Sequence, residues 1–226
     1  VYLGGPSGLA PMNAWTAEGE SGGSTPPYFS VSLASAGDVN GDGYSDVVVG
    51  SHGFNNDRGK AYLYLGGPAG LAASASWTAL GESASSYFGF SVSGAGDVNG
   101  DGYADVAVAA YGYDSDRGKV YLYMGGPSGL GATAYWTAQG EALHDWFGTS
   151  VAGAGDVNGD GYCDVVVGAY GVDTSRGGAY VYLGGPSGLA ASPSWTATGE
   201  DVYNLFGWSV ATVGDVNGDG YSDVVV

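Results

Sequence analysis

Basic residues are scarce: five lysines and arginines stand against 23 acids, a formal charge of −18 over 226 residues. So one-sided a surface repels nucleic-acid phosphates and anionic lipid headgroups, which argues against both as partners. Cysteine is nearly absent. Cys163 stands alone, so no disulfide can form within the chain. No apolar stretch approaches the roughly 18 residues of a membrane-spanning helix, so no membrane insertion is expected. Apolar residues at helical spacing are also lacking, which excludes helical repeats.

Glycine is abundant instead, with 45 copies at fixed places, together with 18 Tyr, 6 Trp and many Val and Ala. Such recurrence marks turns between strands rather than low complexity. The string Asp-Val-Asn-Gly-Asp-Gly-Tyr-x-Asp occurs four times, starting at Asp38, Asp97, Asp156 and Asp215, a step of 59 residues. Each copy sets oxygen-bearing side chains at positions 1, 3, 5 and 9 and glycine at position 6, where a tight loop must reverse. Calcium takes six to eight oxygen ligands from carboxylates, amides and backbone carbonyls, and these loops carry that set. The expected ligands are Asp38, Asn40, Asp42, Tyr44 (through its carbonyl) and Asp46; Asp97, Asn99, Asp101, Tyr103 and Asp105; Asp156, Asn158, Asp160, Tyr162 and Asp164; and Asp215, Asn217, Asp219, Tyr221 and Asp223. The ninth-position aspartate would close each loop with a bidentate carboxylate. About four Ca²⁺ per chain are expected, one per loop.

One such loop is a common product of turn-rich sequence, since turns select Asp, Asn and Gly anyway. Four in register are not. Magnesium fits less well, because it demands a rigid octahedron and keeps its waters. An EF-hand needs Glu at position 12 and flanking helices, whereas position 12 here is Val49, Val108, Val167 or Val226. Runs such as Val47-Val48-Val49 favour strands. A dockerin-like loop fails for the same reason. Twelve of the acids lie in these loops, and without metal they repel one another.

Four strand-like segments follow in each unit. In the second they run over residues 88–95, 105–110, 118–124 and 132–138, the third alternating Val120, Leu122 and Met124 against Tyr121 and Tyr123. Four short antiparallel strands per repeat predict an all-β chain, a β-propeller of four-stranded blades. The units span about 20–81, 82–140, 141–199, and 200–226 completed by 1–19. Trp15, Trp77, Trp136 and Trp195 recur once per unit and should pack between blades. The first unit holds three extra residues, so 21–27 should be a longer surface loop. Cys163 aligns with Ser45, Ala104 and Ser222, a place for a small residue.

Val1 aligns with Leu63 and Val226 with Val49, so one blade is divided: strands three and four at the N-terminus, one and two at the C-terminus. The 13 residues matching 50–62 are missing between them. Joining the halves would close a ring and protect both edges.

These residues resemble the FG-GAP repeats of integrin α-subunit β-propellers and their bacterial relatives, over essentially the whole chain. Phe88-Gly89, Phe147-Gly148 and Phe206-Gly207 match the Phe-Gly of the family, while the first unit has Phe29-Ser30. The Gly-Ala-Pro segment appears as Gly50-Ser51-His52, Ala109-Ala110-Tyr111 and Gly168-Ala169-Tyr170, without its proline. The resemblance implies metal loops on one face of a ring and partners on the opposite face. Integrin rings have seven blades, which four repeats cannot supply. A homodimer closing an eight-bladed ring is favoured over a four-bladed monomer or a fragment of a longer array.

The expected function is a non-enzymatic, calcium-stabilised, integrin-like scaffold for extracellular or cell-surface adhesion or recognition. Its partner, protein or glycan, would meet the variable stretches at 83–87, 142–146 and 201–205 and at 54–57, 113–116 and 172–175, with Trp146, Tyr203 and Trp208 as exposed contacts. The alternative is a purely structural or engineered near-symmetric array without a ligand. A hydrolase is the weakest reading. His52 and His144 occupy unmatched positions, and Glu82, Glu141 and Glu200 repeat with the period, whereas a catalytic pair needs unequal environments.

Overall fold

Alternation along one strand explains how this chain stacks. A computed structural model describes residues 1–20 and 28–226; the insertion at 21–27 lies outside the described residues. A two-residue ladder, β1 (Gly4–Gly5) with β2 (Gly8–Leu9), comes first. Three antiparallel four-stranded sheets follow in simple sequence order. They are β3 (Phe29–Gly37), β4 (Asp46–Ser51), β5 (Lys60–Tyr64) and β6 (Trp77–Leu80); β7 (Ser91–Gly96), β8 (Asp105–Ala110), β9 (Lys119–Tyr123) and β10 (Trp136–Gln139); and β11 (Phe147–Gly155), β12 (Asp164–Ala169), β13 (Gly178–Tyr182) and β14 (Trp195–Thr198). The pair β15 (Ala211–Gly214) and β16 (Asp223–Val225) ends the chain. The sheets are propeller-type blades, and they do not close into a ring.

In β9, Tyr121 and Tyr123 join the apolar cluster shared with the first blade, while Val120 and Leu122 join the cluster shared with the third. Successive residues of a strand point to opposite faces, so one strand feeds two interfaces. Each blade is therefore apolar on both sides, and Val106, Val108, Val120 and Leu122 are fully buried. Burying each such side chain contributes about 1.5–3 kcal/mol.

Three of the four recurrent tryptophans pack between blades, as the period predicts, whereas Trp195 of the last four-stranded sheet is 45% exposed. Trp77 and Trp136 lie edge-on to Tyr123 and Tyr182 of the next blade, at 4.8 and 4.9 Å. Their indole N–H groups donate to the Gly131 and Ala190 carbonyls at 2.9 and 3.0 Å. Trp15 repeats the arrangement against Tyr64 and the Ala72 carbonyl. Fourth strands begin later than expected: Trp136 opens β10, because residues 132–135 are spent on turns.

The divided blade is not assembled within the chain. Residues 1–3, expected as the end of a third strand, are not in a strand, because the second strand that would pair with them lies elsewhere. The N-terminal segment packs Trp15 and Ala17 on the first blade, while β15 and β16 pack on the third.

At the ends of β4, β8 and β12 remote from the metal-type loops, three successive residues adopt left-handed φ: Asn55, Asn56 and Asp57 (52°, 58°, 59°), and likewise 114–116 and 173–175. Asn and Asp tolerate this region better than other residues with a Cβ. These turns aim carbonyls at the next blade: Tyr87 N–H donates to Asp57 at 2.8 Å, Trp146 to Asp116 at 2.8 Å and Leu205 to Ser175 at 3.0 Å. Both variable stretches thus hold one another across the blade boundary.

His52 follows β4 at this end, stacked on Tyr28 at 5.0 Å and facing Phe90 at 5.3 Å, where later blades carry Tyr111 and Tyr170. Its Nδ1 is buried without a hydrogen-bond partner among the described residues. Burial pushes the imidazole below its ordinary value of 6.5, with Asp57 pulling the other way. A depressed value means that the fold favours the neutral ring. The stabilisation is complete above pH 6.5 and is lost as pH falls through the folded value. Melting curves from about pH 7.5 to about pH 5 should show a destabilisation that His52→Tyr abolishes; equal pH slopes in both proteins would refute this.

Candidate metal centre

The four loops lead from the first strand of each blade to the second, at one end of the sheets. Each curls around its first aspartate. Asp38 Oδ1 accepts from Gly41 and Asp42 N–H at 2.7 and 3.1 Å, and Oδ2 from Gly43 N–H at 2.7 Å. Asn40 Oδ1 accepts from Asp42 N–H at 3.2 Å, and Asp42 Oδ1 from Tyr44 N–H at 3.0 Å. Gly41 and Gly43 supply φ of 74° and 89°, the left-handed values this curl needs.

Asp97 with Asn99 and Asp101, Asp156 with Asn158 and Asp160, and Asp215 with Asn217 and Asp219 reproduce the same bonds within a few tenths of an ångström. Hydrogen bonds from Gly43 first, and then from Gly41 and Asp42, outweigh desolvation and hold the Asp38 carboxyl below the usual carboxylate range. Asp215 is lowered likewise, led by Gly220.

Asp46, Asp105 and Asp164 are fully buried. Each bridges two backbone segments: Asp105 Oδ2 accepts from Val98 N–H and Oδ1 from Gly125 N–H, both at 2.9 Å. Asp46 joins Val39 to Gly66 and Asp164 joins Val157 to Gly184 in the same way. Asp223 holds Val216 alone. Desolvation pushes Asp105 up to about 6 despite those two bonds. The ninth residue therefore pins its loop to the end of the third strand. That role was readable only in the constant spacing of 20 residues from Asp46 to Gly66, Asp105 to Gly125 and Asp164 to Gly184.

Tyr44, Tyr103, Tyr162 and Tyr221 are expected to offer their backbone carbonyls, and the rings of the last three have a further role. The Tyr103 ring lies against Gly41 of the preceding loop so closely that a Cβ there would meet it at 2.8 Å. Tyr162 covers Gly100 and Tyr221 covers Gly159 in the same manner. Ala104 N–H also donates to the Asp38 carbonyl at 3.0 Å, and Cys163 and Ser222 repeat that bond to Asp97 and Asp156. Successive loops are in contact.

The oxygen donors sit together in sequence and at one end of the fold. Among the described residues no three acidic, His or Cys side chains converge on one point, since their oxygens face loop amides. The donor chemistry fits a hard divalent cation: three carboxylates and an amide per loop, none ion-paired to a described lysine or arginine.

A family model described as FG-GAP repeat matches residues 29–64 and 88–123, and one described as FG-GAP-like repeat matches 156–226. The chain belongs to the FG-GAP repeat family. Its FG-GAP units are similar to integrin alpha-5 of Xenopus laevis, 32% identical over 212 residues, covering 88% of this chain and 20% of that protein. Integrin alpha-IIb of Homo sapiens is 38% identical over 158 residues (65% and 15%), and integrin alpha-V of Gallus gallus 36% over 159 (66% and 15%). The chain spans a fifth or less of the length of these relatives. Within the FG-GAP frame, Phe88 and Phe147 are buried against Tyr121 and Tyr180. Gly89 comes so close to Gly50 that a Cβ on Gly50 would meet its carbonyl oxygen.

Removing the Asp105 carboxylate strands two backbone N–H groups, and Asp105→Ala should cost about 3 kcal/mol, with Asp105→Asn nearer 1–2 kcal/mol. Urea unfolding in the presence of a chelator isolates this term from any metal. A loss seen only in metal-containing buffer would contradict the bridging role.

Proposed function

We propose that this chain is a calcium-binding, integrin-like propeller unit for extracellular adhesion or recognition, without enzymatic activity. The observation that carries the metal part is the fourfold loop, with its aspartates lacking any basic partner among the described residues. Four Ca²⁺ would bring the formal charge from −18 to −10 and relieve repulsion at one end of every blade. Asp38, Asn40 and Asp42 and their counterparts would hold the ion. Asp46 and its counterparts would offer the second lone pair of oxygens already fixed by backbone N–H groups.

The recognition face is the opposite end. A row of rings runs there, with Tyr87 on Tyr111 at 4.9 Å, Trp146 on Tyr170 at 4.6 Å and Tyr170 beside Trp208 at 4.6 Å. Trp208 and Tyr203 are 55% and 74% exposed, which suits contact with a protein or glycan.

The chain's own second copy is the proposed partner at the two open blade faces. Val92, Val151 and Val210 are each about 5% exposed, whereas their counterpart Leu33 is 63% exposed. Ser32, Ser91 and Ser150 hydroxyls accept from Val92, Val151 and Val210 N–H, and the series stops at Ser209. Gly41, Gly100 and Gly159 each carry a tyrosine ring from the next loop, while a Cβ on Gly218 would meet nothing within 4 Å among the described residues and Tyr44 is 42% exposed. Each lone group at the C-terminal face has its complement at the N-terminal face. Two copies joined head to tail would make eight blades and place strands of both chains in the shared ones.

Chelation should lower the melting temperature and added Ca²⁺ should raise it, through a gain in unfolding free energy of about 2.7 kcal/mol per site at a hundredfold excess over Kd. A midpoint indifferent to EDTA would remove the calcium proposal. Light scattering in Ca²⁺ should give twice the 22.5 kDa chain mass, and Tyr44→Ala should shift it toward monomer. A monomer at all concentrations would remove the pairing.

A further inference from the structure

Two blades carry a built-in ammonium, and the third lacks it. In the first, Lys60 Nζ pairs with Glu20 at 2.8 Å and lies over the Tyr62 and Phe54 rings at 4.6 and 5.2 Å. In the second, Lys119 Nζ pairs with Glu82 at 2.6 Å and lies over Tyr121 and Tyr113 at 4.8 and 4.7 Å. The Tyr121 hydroxyl donates to the same Glu82 oxygen at 3.0 Å. Glu82 follows the fourth strand of the first blade and Glu20 lies at the end of the N-terminal segment, while each lysine opens the third strand of the next blade, so the cation sits in the groove between them. Both lysines are largely covered, at 12% and 15% side-chain exposure.

In the third blade Glu141 and Tyr180 keep these positions, but Gly178 replaces the lysine and Val172 the hairpin aromatic. A cavity of about 330 Å³ opens there, lined by Glu141, Tyr180, Tyr182, Phe147, Gln139 and Pro193. The Glu141 carboxylate forms no ion pair among the described residues. No basic side chain pairs with that carboxylate among the described residues: Lys60, Lys119, Arg117 and Arg176 pair with other carboxylates, Arg58 donates to the Gly81 carbonyl, and Arg117 reaches Glu141 only at its backbone carbonyl, at 2.5 Å.

We propose that the groove between the second and third blades binds an organic primary ammonium group, whose charge pairs with Glu141 and whose alkyl stem lies along Tyr180 and Phe147. A metal ion suits it poorly, because one carboxylate among aromatic walls cannot supply the several oxygens such an ion needs. An alkylammonium is matched by one carboxylate, a ring face and an apolar wall. The same group could arrive as a free amine or as a partner protein's lysine. This site is independent of the metal-type loops, which lie at the other end of the strands.

The full chain in saturating Ca²⁺ is titrated with n-butylamine, Nα-acetyl-lysine amide and neutral n-butanol, following amide shifts at Gly178 and Tyr180 by NMR. Saturable shifts with both amines and none with butanol are expected. Tighter binding of the lysine derivative assigns the site to a protein lysine, and equal binding to a free amine. Glu141→Gln should weaken binding about tenfold, the lower range for losing a charged hydrogen-bond partner. Gly178→Lys should abolish it and raise the melting temperature, since its ammonium would take the place that Lys60 and Lys119 hold. Equal shifts with butanol, no saturable shift with either amine, or amine binding unchanged in Glu141→Gln would overturn the proposal. The Glu141→Gln result stands even if Gly178→Lys fails to fold.

Discussion

Everything in this molecule depends on each blade having two apolar faces and no interior of its own. A four-stranded sheet alternating Val or Leu with Tyr cannot turn either side to water, so it is stable only between neighbours. Strand β9 contributes to two clusters at once, and the indole N–H of each fully flanked tryptophan finds its acceptor on the next blade. Stability is then a sum over interfaces rather than over blades.

The two ends of the sheets solve different problems. At one, short loops gather carboxylates and hold them with their own amides, while a buried ninth-position aspartate ties loop to strand. At the other, left-handed turns point carbonyls at the next blade. Tyr87, Trp146 and Leu205 also sit at positive φ, which is costly for bulky residues. Because this strain recurs in every blade it belongs to the repeat, and the aromatic side chains carried on it are held in fixed directions.

Much of this was legible in the chain itself. The 59-residue period and the Val/Tyr alternation gave the blades, their order and the packing of Trp77 and Trp136, because these rest on local pattern. Less accessible was whatever depends on a neighbour. The ninth aspartate reads as a metal ligand, yet both Asp105 oxygens hold backbone N–H groups, one of them 20 residues away. Tyr103 reads as a carbonyl donor, and its ring turns out to cover another loop's glycine. Residues 1–3 align with a strand and do not form one, since pairing needs a partner strand that alignment cannot provide. Glu82 repeats with the period as structure would, but its lysine partner appears only once strands of successive blades are set side by side.

Trp15, Trp77 and Trp136 make one contact three times over, each with a carbonyl in the following blade. For the gene, this means that unequal crossing-over between any two equivalent points of the period yields a chain longer or shorter by one whole blade, with every junction still matched. Blade number is thereby free to drift by recombination, while point mutation at the junctions is held in check from both sides.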